Sequence, residues 1–139
     1  MKLFFDANVL FTAAYSATGI ARAFFDLEEA GYCNLCTSAY ALEEARRNIA
    51  LKAPDILPVL ERLSQHLSIV PEPLPDKVQW AQSLPLALKD APIMAAAVSG
   101  CVDILVTGDR RDFGHLFGKK VEGVVVLSPL EALEKVLEK

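Results

Sequence analysis

The chain alternates short runs of consecutive apolar residues with longer stretches in which apolar residues recur every three or four positions. Short apolar runs are typical of strands that are buried on both faces of a sheet. Five such segments occur, at residues 2–5, 33–37, 67–70, 104–107 and 124–127. The pattern therefore predicts a sheet whose strands carry apolar side chains on both sides.

The longer stretches predict amphipathic helices between these strands. They occupy residues 20–30, 38–52, 55–63, 77–83, 93–100 and 129–139. Ser38 is a suitable N-cap for the second of them, and Asp90 followed by Pro92 is a strong start signal for the fifth. Because strands and helices alternate, we expect a parallel sheet with helices on both faces.

Composition narrows the class of protein. The 139 residues, 53% of them hydrophobic, suit one domain over residues 1–139 with a well-filled core. The net charge of −4 excludes a general basic surface for nucleic acid, so any such contact has to be local. Asp6 and Asn8 interrupt the first apolar run before it resembles a secretory signal, and the uncharged residues 7–21 are too short and too polar to cross a membrane. We expect a soluble, cytoplasmic protein.

Acidic residues from distant parts of the chain are predicted to meet at one edge of the sheet. Asp6 ends the first strand, and Asp109 follows the strand at 104–107 after one glycine. Asp90 opens the helix that precedes this strand, which places it at the same edge. Glu43 and Glu44 lie in the second turn of the helix after Ser38, and helical phase does not choose between them.

Carboxylates that crowd together repel each other, and a divalent cation removes the conflict. Oxygen ligands without clustered histidine or cysteine suit Mg²⁺ or Mn²⁺. Zinc is disfavoured because the Cys33 and Cys36 pair lacks a second pair of ligands. Two ions about 4 Å apart can activate water and stabilise a leaving oxygen at phosphorus, so the pattern points to phosphodiester hydrolysis.

Four segments, taken in order, resemble the signatures of PIN-domain ribonucleases. They are Asp6-Ala7-Asn8-Val9-Leu10, Ser38 with Glu44 six residues later, Asp90 before an Ala-rich helix, and the run from Thr107 to Phe113. The resemblance implies a three-layer α/β sandwich with a central parallel sheet of four to five strands, in an order of about 3-2-1-4-5. It also implies a Mg²⁺- or Mn²⁺-dependent endoribonuclease that cuts single-stranded RNA, often the VapC-like toxin of a toxin–antitoxin pair. Ala7 stands where the family more commonly has Thr.

The resemblance selects Glu44 over Glu43 by its spacing from Ser38. The predicted catalytic residues are Asp6, Glu44, Asp90 and Asp109, and the predicted metal ligands are Asp6, Asp90, Asp109 and Asp112. Asn8 and Thr107 are predicted to shape the site. Arg110 and Arg111 are candidates for RNA contacts, with an ordinary charged surface as the alternative.

Several of these side chains also have purely structural explanations. Asp90 is a suitable N-cap, and Asp109 with Asp112 forms a capping pair on a short helix. His115 is a candidate general base. Phe11, Tyr15 and Phe113 are candidates for stacking on bases, although aromatic residues at strand ends more often belong to the core.

Two other function classes remain open from the sequence. A phosphatase of the haloacid-dehalogenase type also has an Asp after its first strand but needs a second Asp two positions later, where this chain has Asn8. A non-catalytic module that binds protein would use the acids only as caps and turn residues. The apolar fraction also predicts a homodimer. The family resemblance implies an antitoxin protein as a further partner.

Overall fold

The protein contains one mixed sheet, seen in a computed structural model that describes residues 1–138 apart from the side chain of Arg110. Its strands within this range are β1 (Lys2–Phe5), β2 (Asn34–Thr37), β3 (Ser68–Ile69), β4 (Ile104–Val106), β5 (Lys120–Val121) and β6 (Val124–Leu127). Their order is β3-β2-β1-β4-β6-β5. All neighbours are parallel except β5, which pairs antiparallel with β6 at one edge.

Helices cover both faces of the sheet. They are α1 (Ala7–Tyr15), α2 (Ile20–Glu29), α3 (Ala39–Lys52), α4 (Leu57–Ser64), α5 (Pro75–Gln82), α6 (Ala91–Ser99), α7 (Arg110–Phe113) and α8 (Pro129–Leu137). Helices α1 to α4 and α8 pack on one face, whereas α5, α6 and Phe113 of α7 pack on the other. The predicted three-layer α/β architecture is confirmed, and the predicted strand order is met when β6 is taken as the fifth strand.

Strand alternation produces two apolar layers. Leu3 and Phe5 of β1 point to the first layer, and Phe4 between them points to the second. The Phe5 ring meets the rings of Phe24 and Phe25 of α2 edge to face, with centroids 5.5 and 5.9 Å apart. Each such side chain contributes about 1.5–3 kcal/mol when it is fully buried. Strand β1 is therefore fixed from both sides, and with it the residue that follows it.

Three elements depart from the sequence-based prediction. Helix α1 was not predicted, because its outward positions carry two aromatic residues and no charge, so its pattern lacks a charged face. Strand β5 is only two residues long and turns into β6 through Glu122 and Gly123, both at positive φ. The last helix ends at Leu137, and the predicted extension to Lys139 lies outside the described residues.

The strand order reverses between β1 and β4. From this point β2 and β3 extend to one side, and β6 and β5 to the other. In open α/β sheets a crevice forms beyond the carboxyl ends of the strands at such a reversal. Among the described residues, no helix is both long and apolar enough to cross a membrane.

Candidate active site

Asp6 and Thr107 follow the two central strands directly, and both are buried. The Asp6 backbone N–H donates to the Val106 carbonyl over 3.0 Å, which continues the pairing of β1 with β4. The sheet therefore carries these two side chains to its reversal point side by side.

The Asp6 carboxylate is held by three hydrogen bonds. Oδ1 accepts from the Ala7 N–H at 2.7 Å, so Asp6 also caps α1. Oδ2 accepts from Thr107 Oγ1 at 2.8 Å and from Asn8 Nδ2 at 3.3 Å. Asn8 in turn accepts from the Gly108 N–H at 2.9 Å. Asn8 and Thr107 thus link the ends of β1 and β4 and fix the orientation of the Asp6 carboxylate.

The pKa of Asp6 is raised from its ordinary value near 3.8 to about 6. The main cause is burial, which disfavours the charged form. The bonds from Thr107 and Ala7 lower the pKa, whereas the negative charges of Glu44 and Asp109 raise it. Two of the predicted site residues are therefore close enough to Asp6 for their charges to act on it.

Asp90 is buried, and its side chain does not cap α6. The predicted capping bond is wrong because Asp90 ends a 3₁₀ turn (Leu88–Asp90) with φ −96° and ψ −4°, whereas an N-cap needs extended backbone. Pro92 does occupy the first turn, as predicted. Asp90 Oδ2 has no hydrogen-bond partner among the described residues. An unpaired buried carboxylate oxygen is costly and requires an explanation.

The pKa of Asp90 is raised to about 7, first by burial and then by the charges of Asp6 and Asp112. The neighbouring Lys89 opposes this shift. Its ammonium lies 2.9 Å from Asp112 Oδ2, and this contact is the largest cause that lowers the pKa of Asp112. Lys89 was missed in the sequence, where only its position next to Asp90 could have indicated a role.

Asp109 caps α7, because its Oδ1 accepts from the Asp112 N–H at 2.9 Å. The predicted capping pair therefore forms. The Asp109 N–H donates to Thr107 Oγ1 at 3.2 Å, which joins the start of α7 to the same network as Asp6. Asp109 and Asp112 are each partly exposed, unlike Asp6 and Asp90.

Glu43 and Glu44 have different surroundings, which helical phase alone did not resolve. The Glu43 side chain is 59% exposed and lies 3.7 Å from Arg46. Glu44 is half-buried, and its charge acts on Asp6. The structure thus brings Glu44 to the acid cluster, defined here as Asp6, Glu44, Asp90, Asp109 and Asp112.

The remaining residues proposed from the sequence are not part of the acid cluster. Arg111 and His115 are exposed, and Phe113 is buried in the core. The side chain of Arg110 lies outside the described residues. A cleft of about 580 Å³ opens beside the acid cluster and is lined in part by Asn8, Gly108 and Asp109.

The donor set suits a hard divalent cation. It consists of carboxylates, two of which are buried with raised pKa values, and it includes the unpaired Oδ2 of Asp90. Among the described residues, no three Asp, Glu, His or Cys side chains are already arranged to hold a metal ion. The hydrogen bonds of Asp6 and Asp109 and the ion pair of Asp112 occupy their oxygens instead. Bound metal would have to replace some of these contacts.

Comparison with known proteins gives one family and several similar folds. Residues 2–111 match the family model described as the PIN domain. A chain of the VapBC2 structure from Rickettsia felis, bound to a DNA fragment from their promoter, aligns with a TM-score of 0.66 and 14% identity over 92% of this chain and 98% of that chain. PAE2754 from Pyrobaculum aerophilum aligns with a TM-score of 0.68 and 18% identity over 98% of both chains.

FitAcB from Neisseria gonorrhoeae aligns with a TM-score of 0.60 and 19% identity, over 92% of this chain and 98% of that chain. At these identities the structural likeness is one of fold. No curated protein sequence matches the chain significantly.

Proposed function

The chain belongs to the PIN domain family, whose members are nucleases, and from this premise we propose that it is a Mg²⁺- or Mn²⁺-dependent endoribonuclease of single-stranded RNA. The observation that carries the proposal is the burial of Asp6 and Asp90 together at the sheet reversal, where burial raises the pKa of both and the charge of Asp6 raises that of Asp90 further. Without a positive charge this arrangement opposes folding at neutral pH. A site that binds divalent cations explains why it exists.

In this proposal Asp6, Asp90 and Asp109 hold the metal, and Asp112 assists or serves a second ion. The metal would supply positive charge that stabilises the phosphate and lowers the pKa of attacking water. Thr107 and Asn8 keep the Asp6 carboxylate in one orientation through the bonds described above. Glu44 is near enough to Asp6 for its charge to act on it, and it is assigned to orient the water and accept its proton.

Arg111 and Arg110, next to Asp109 in the sequence, are assigned to RNA phosphates. Because the chain has a net charge of −4, the attraction for RNA has to come from such local cations and from bound metal.

We further propose that the protein is the toxin of a toxin–antitoxin pair and acts in the cytoplasm as a homodimer. Similar solved structures support the first part, because they include those of VapBC2 and FitAB, each bound to DNA. Exposed apolar side chains, such as those of Leu74 and Leu88, support association with another chain. The haloacid-dehalogenase alternative loses its basis, because the chain matches the PIN family and Asn8 bonds to Asp6 where that chemistry needs an acid.

The test is cleavage of an end-labelled single-stranded RNA in Mn²⁺, in Mg²⁺ and in EDTA. We expect endonucleolytic products only with metal. Asp6→Asn should abolish them without unfolding the protein, because an Asn carbonyl can still accept from Thr107 or Ala7. Asp26→Asn, an exposed acid on α2, is the control and should leave cleavage unchanged. Cleavage that persists in Asp6→Asn, or that needs no metal, would contradict the proposal.

A further inference from the structure

The outer surface of α1 forms a stripe of side chains that starts beside the acid cluster. Five residues of this helix are buried, and the positions that remain on the outside are Asn8, Phe11, Thr12 and Tyr15. Their spacing of three and four residues places them on one helical face. Asn8 bonds to Asp6, so the stripe runs from the acid cluster toward the far end of the helix.

Two aromatic rings occupy this stripe. The rings of Phe11 and Tyr15 are stacked, with centroids 6.0 Å apart and planes 16° apart. Phe11 is half-buried, whereas Tyr15 is 66% exposed and offers an open ring face. Phe113, the other aromatic residue considered from the sequence, is fully buried. Of these three aromatic residues, only the pair on α1 is therefore available to an external aromatic group.

Two cations flank the aromatic pair. The Lys52 ammonium lies 5.9 Å from the centroid of the Phe11 ring. Arg22 is anchored at the end of α1, where its Nε donates to the Ala13 carbonyl at 2.7 Å. Within the described part of the chain, neither cation lies within 4 Å of a carboxylate. This end of α1 therefore carries two cations without a close carboxylate, in contrast to the acidic end.

We propose that Tyr15 and Phe11, with Lys52 and Arg22 beside them, form a stacking platform for the single-stranded RNA whose phosphodiester bond lies at the acid cluster. The inference rests on the proposed function. Seven residues separate Asn8 from Tyr15, a rise of about 10 Å along the helix. Stacked bases are spaced about 3.4 Å apart, so the stripe matches about three nucleotides.

The chemistry of the stripe favours RNA over a protein segment. Proteins hold single strands by alternating aromatic faces with cations that meet the phosphates, and both occur here. The cleft beside the acid cluster shares Asn8 and Thr12 with the stripe, so the two surfaces are adjacent. Stacking needs little sequence specificity, because every base has a flat face.

The test is the affinity for a fluorescein-labelled, mixed-sequence single-stranded RNA, measured by fluorescence anisotropy in Ca²⁺, which supplies divalent charge at the acid cluster, with gel electrophoresis to verify that the RNA stays intact. Tyr15→Ala should weaken binding about tenfold, as for the loss of one base stack. Tyr15→Phe keeps the ring and should bind as the wild type does. Tyr32→Ala is the matched control, because Tyr32 is 58% exposed but precedes β2, at the sheet edge opposite to Asp6.

An unchanged affinity in Tyr15→Ala, or an equal loss in Tyr32→Ala, would overturn the platform and leave this surface to a protein partner. Absence of RNA binding by the wild type would overturn it as well. Cleavage in Mn²⁺, assayed in parallel, separates the two proposals. A wild type that cleaves while Tyr15→Ala binds normally refutes the platform alone, and a wild type that binds through Tyr15 without cleaving refutes the nuclease alone.

Discussion

Replacing Asp90 with Asn should stabilise the metal-free protein at pH 8. The folded protein raises the pKa of Asp90 from 3.8 to about 7, chiefly by burial. Each unit corresponds to about 1.4 kcal/mol, so ionised Asp90 costs the fold up to about 4 kcal/mol above pH 7. Asn removes the charge but leaves a buried amide, whose desolvation costs about 1–3 kcal/mol and offsets part of the stabilisation. We expect a net stabilisation of about 1–3 kcal/mol, or about 4–12 °C in Tm.

The direction of the pKa shift determines how the stability gain of Asp90→Asn changes with pH. Because the folded pKa lies above the unfolded one, the native state binds more protons between about pH 4 and pH 7, and stability falls as pH rises through this window. The advantage of Asp90→Asn should therefore appear at pH 8 and disappear near pH 5. The raised pKa of Asp6 acts in the same direction in both proteins, and because its charge also acts on Asp90, part of the expected gain is relief of the repulsion between the two carboxylates.

Thermal unfolding followed by circular dichroism in EDTA is the assay, with Asp26→Asn as the control for removal of an exposed acid. Mn²⁺ at 100 times its Kd should raise the free energy of unfolding of the wild type by about 2.7 kcal/mol, and its Tm accordingly. The increase in Tm should be smaller for Asp90→Asn. The reasoning is refuted if Asp90→Asn is no more stable than the wild type at pH 8, or if its gain is the same at pH 5.

Three further predictions, the first with a control substitution, test separate parts of the account. Glu44→Gln should reduce metal-dependent cleavage at least tenfold, whereas Glu43→Gln should leave it within twofold, as measured by initial rates; equal effects would contradict the choice of Glu44. Thr107→Val removes the donor to Asp6 and should lower stability by about 1–3 kcal/mol in denaturant titration together with cleavage. Ser128→Ala breaks the capping box of α8 and should lower stability by about 1 kcal/mol while cleavage stays normal; lost activity there would show that stability alone limits the assay.

The fold was largely predictable because its signals are local. The apolar runs coincide with β1, β4 and β6, and Ser38 caps α3 as predicted. The bounds of these elements differ from prediction by at most one residue. Helix α1 escaped because its outer face carries Phe11 and Tyr15 in place of charges. These two outward aromatic side chains are also what suggests that α1 contacts RNA.

The sequence predicted which residues form the candidate site better than it predicted their geometry. Position relative to strand ends brought Asp6, Asp90 and Asp109 together, since parallel strands share a carboxyl edge. Backbone conformation decided the rest. Asp90 lost its capping bond because it ends a 3₁₀ turn, and Lys89 reached Asp112 through the same turn. Sequence spacing does not encode these dihedral angles.

The central claim is that the acid cluster is a binding site for divalent cations, and a crystal structure of the wild type grown with Mn²⁺ tests it most directly. The account predicts an anomalous Mn²⁺ peak contacted by Asp6, Asp90 and Asp109, with Asp90 Oδ2 among its ligands. A fully ordered acid cluster without such a peak at saturating Mn²⁺, or Mn²⁺ bound only elsewhere on the protein, would contradict it.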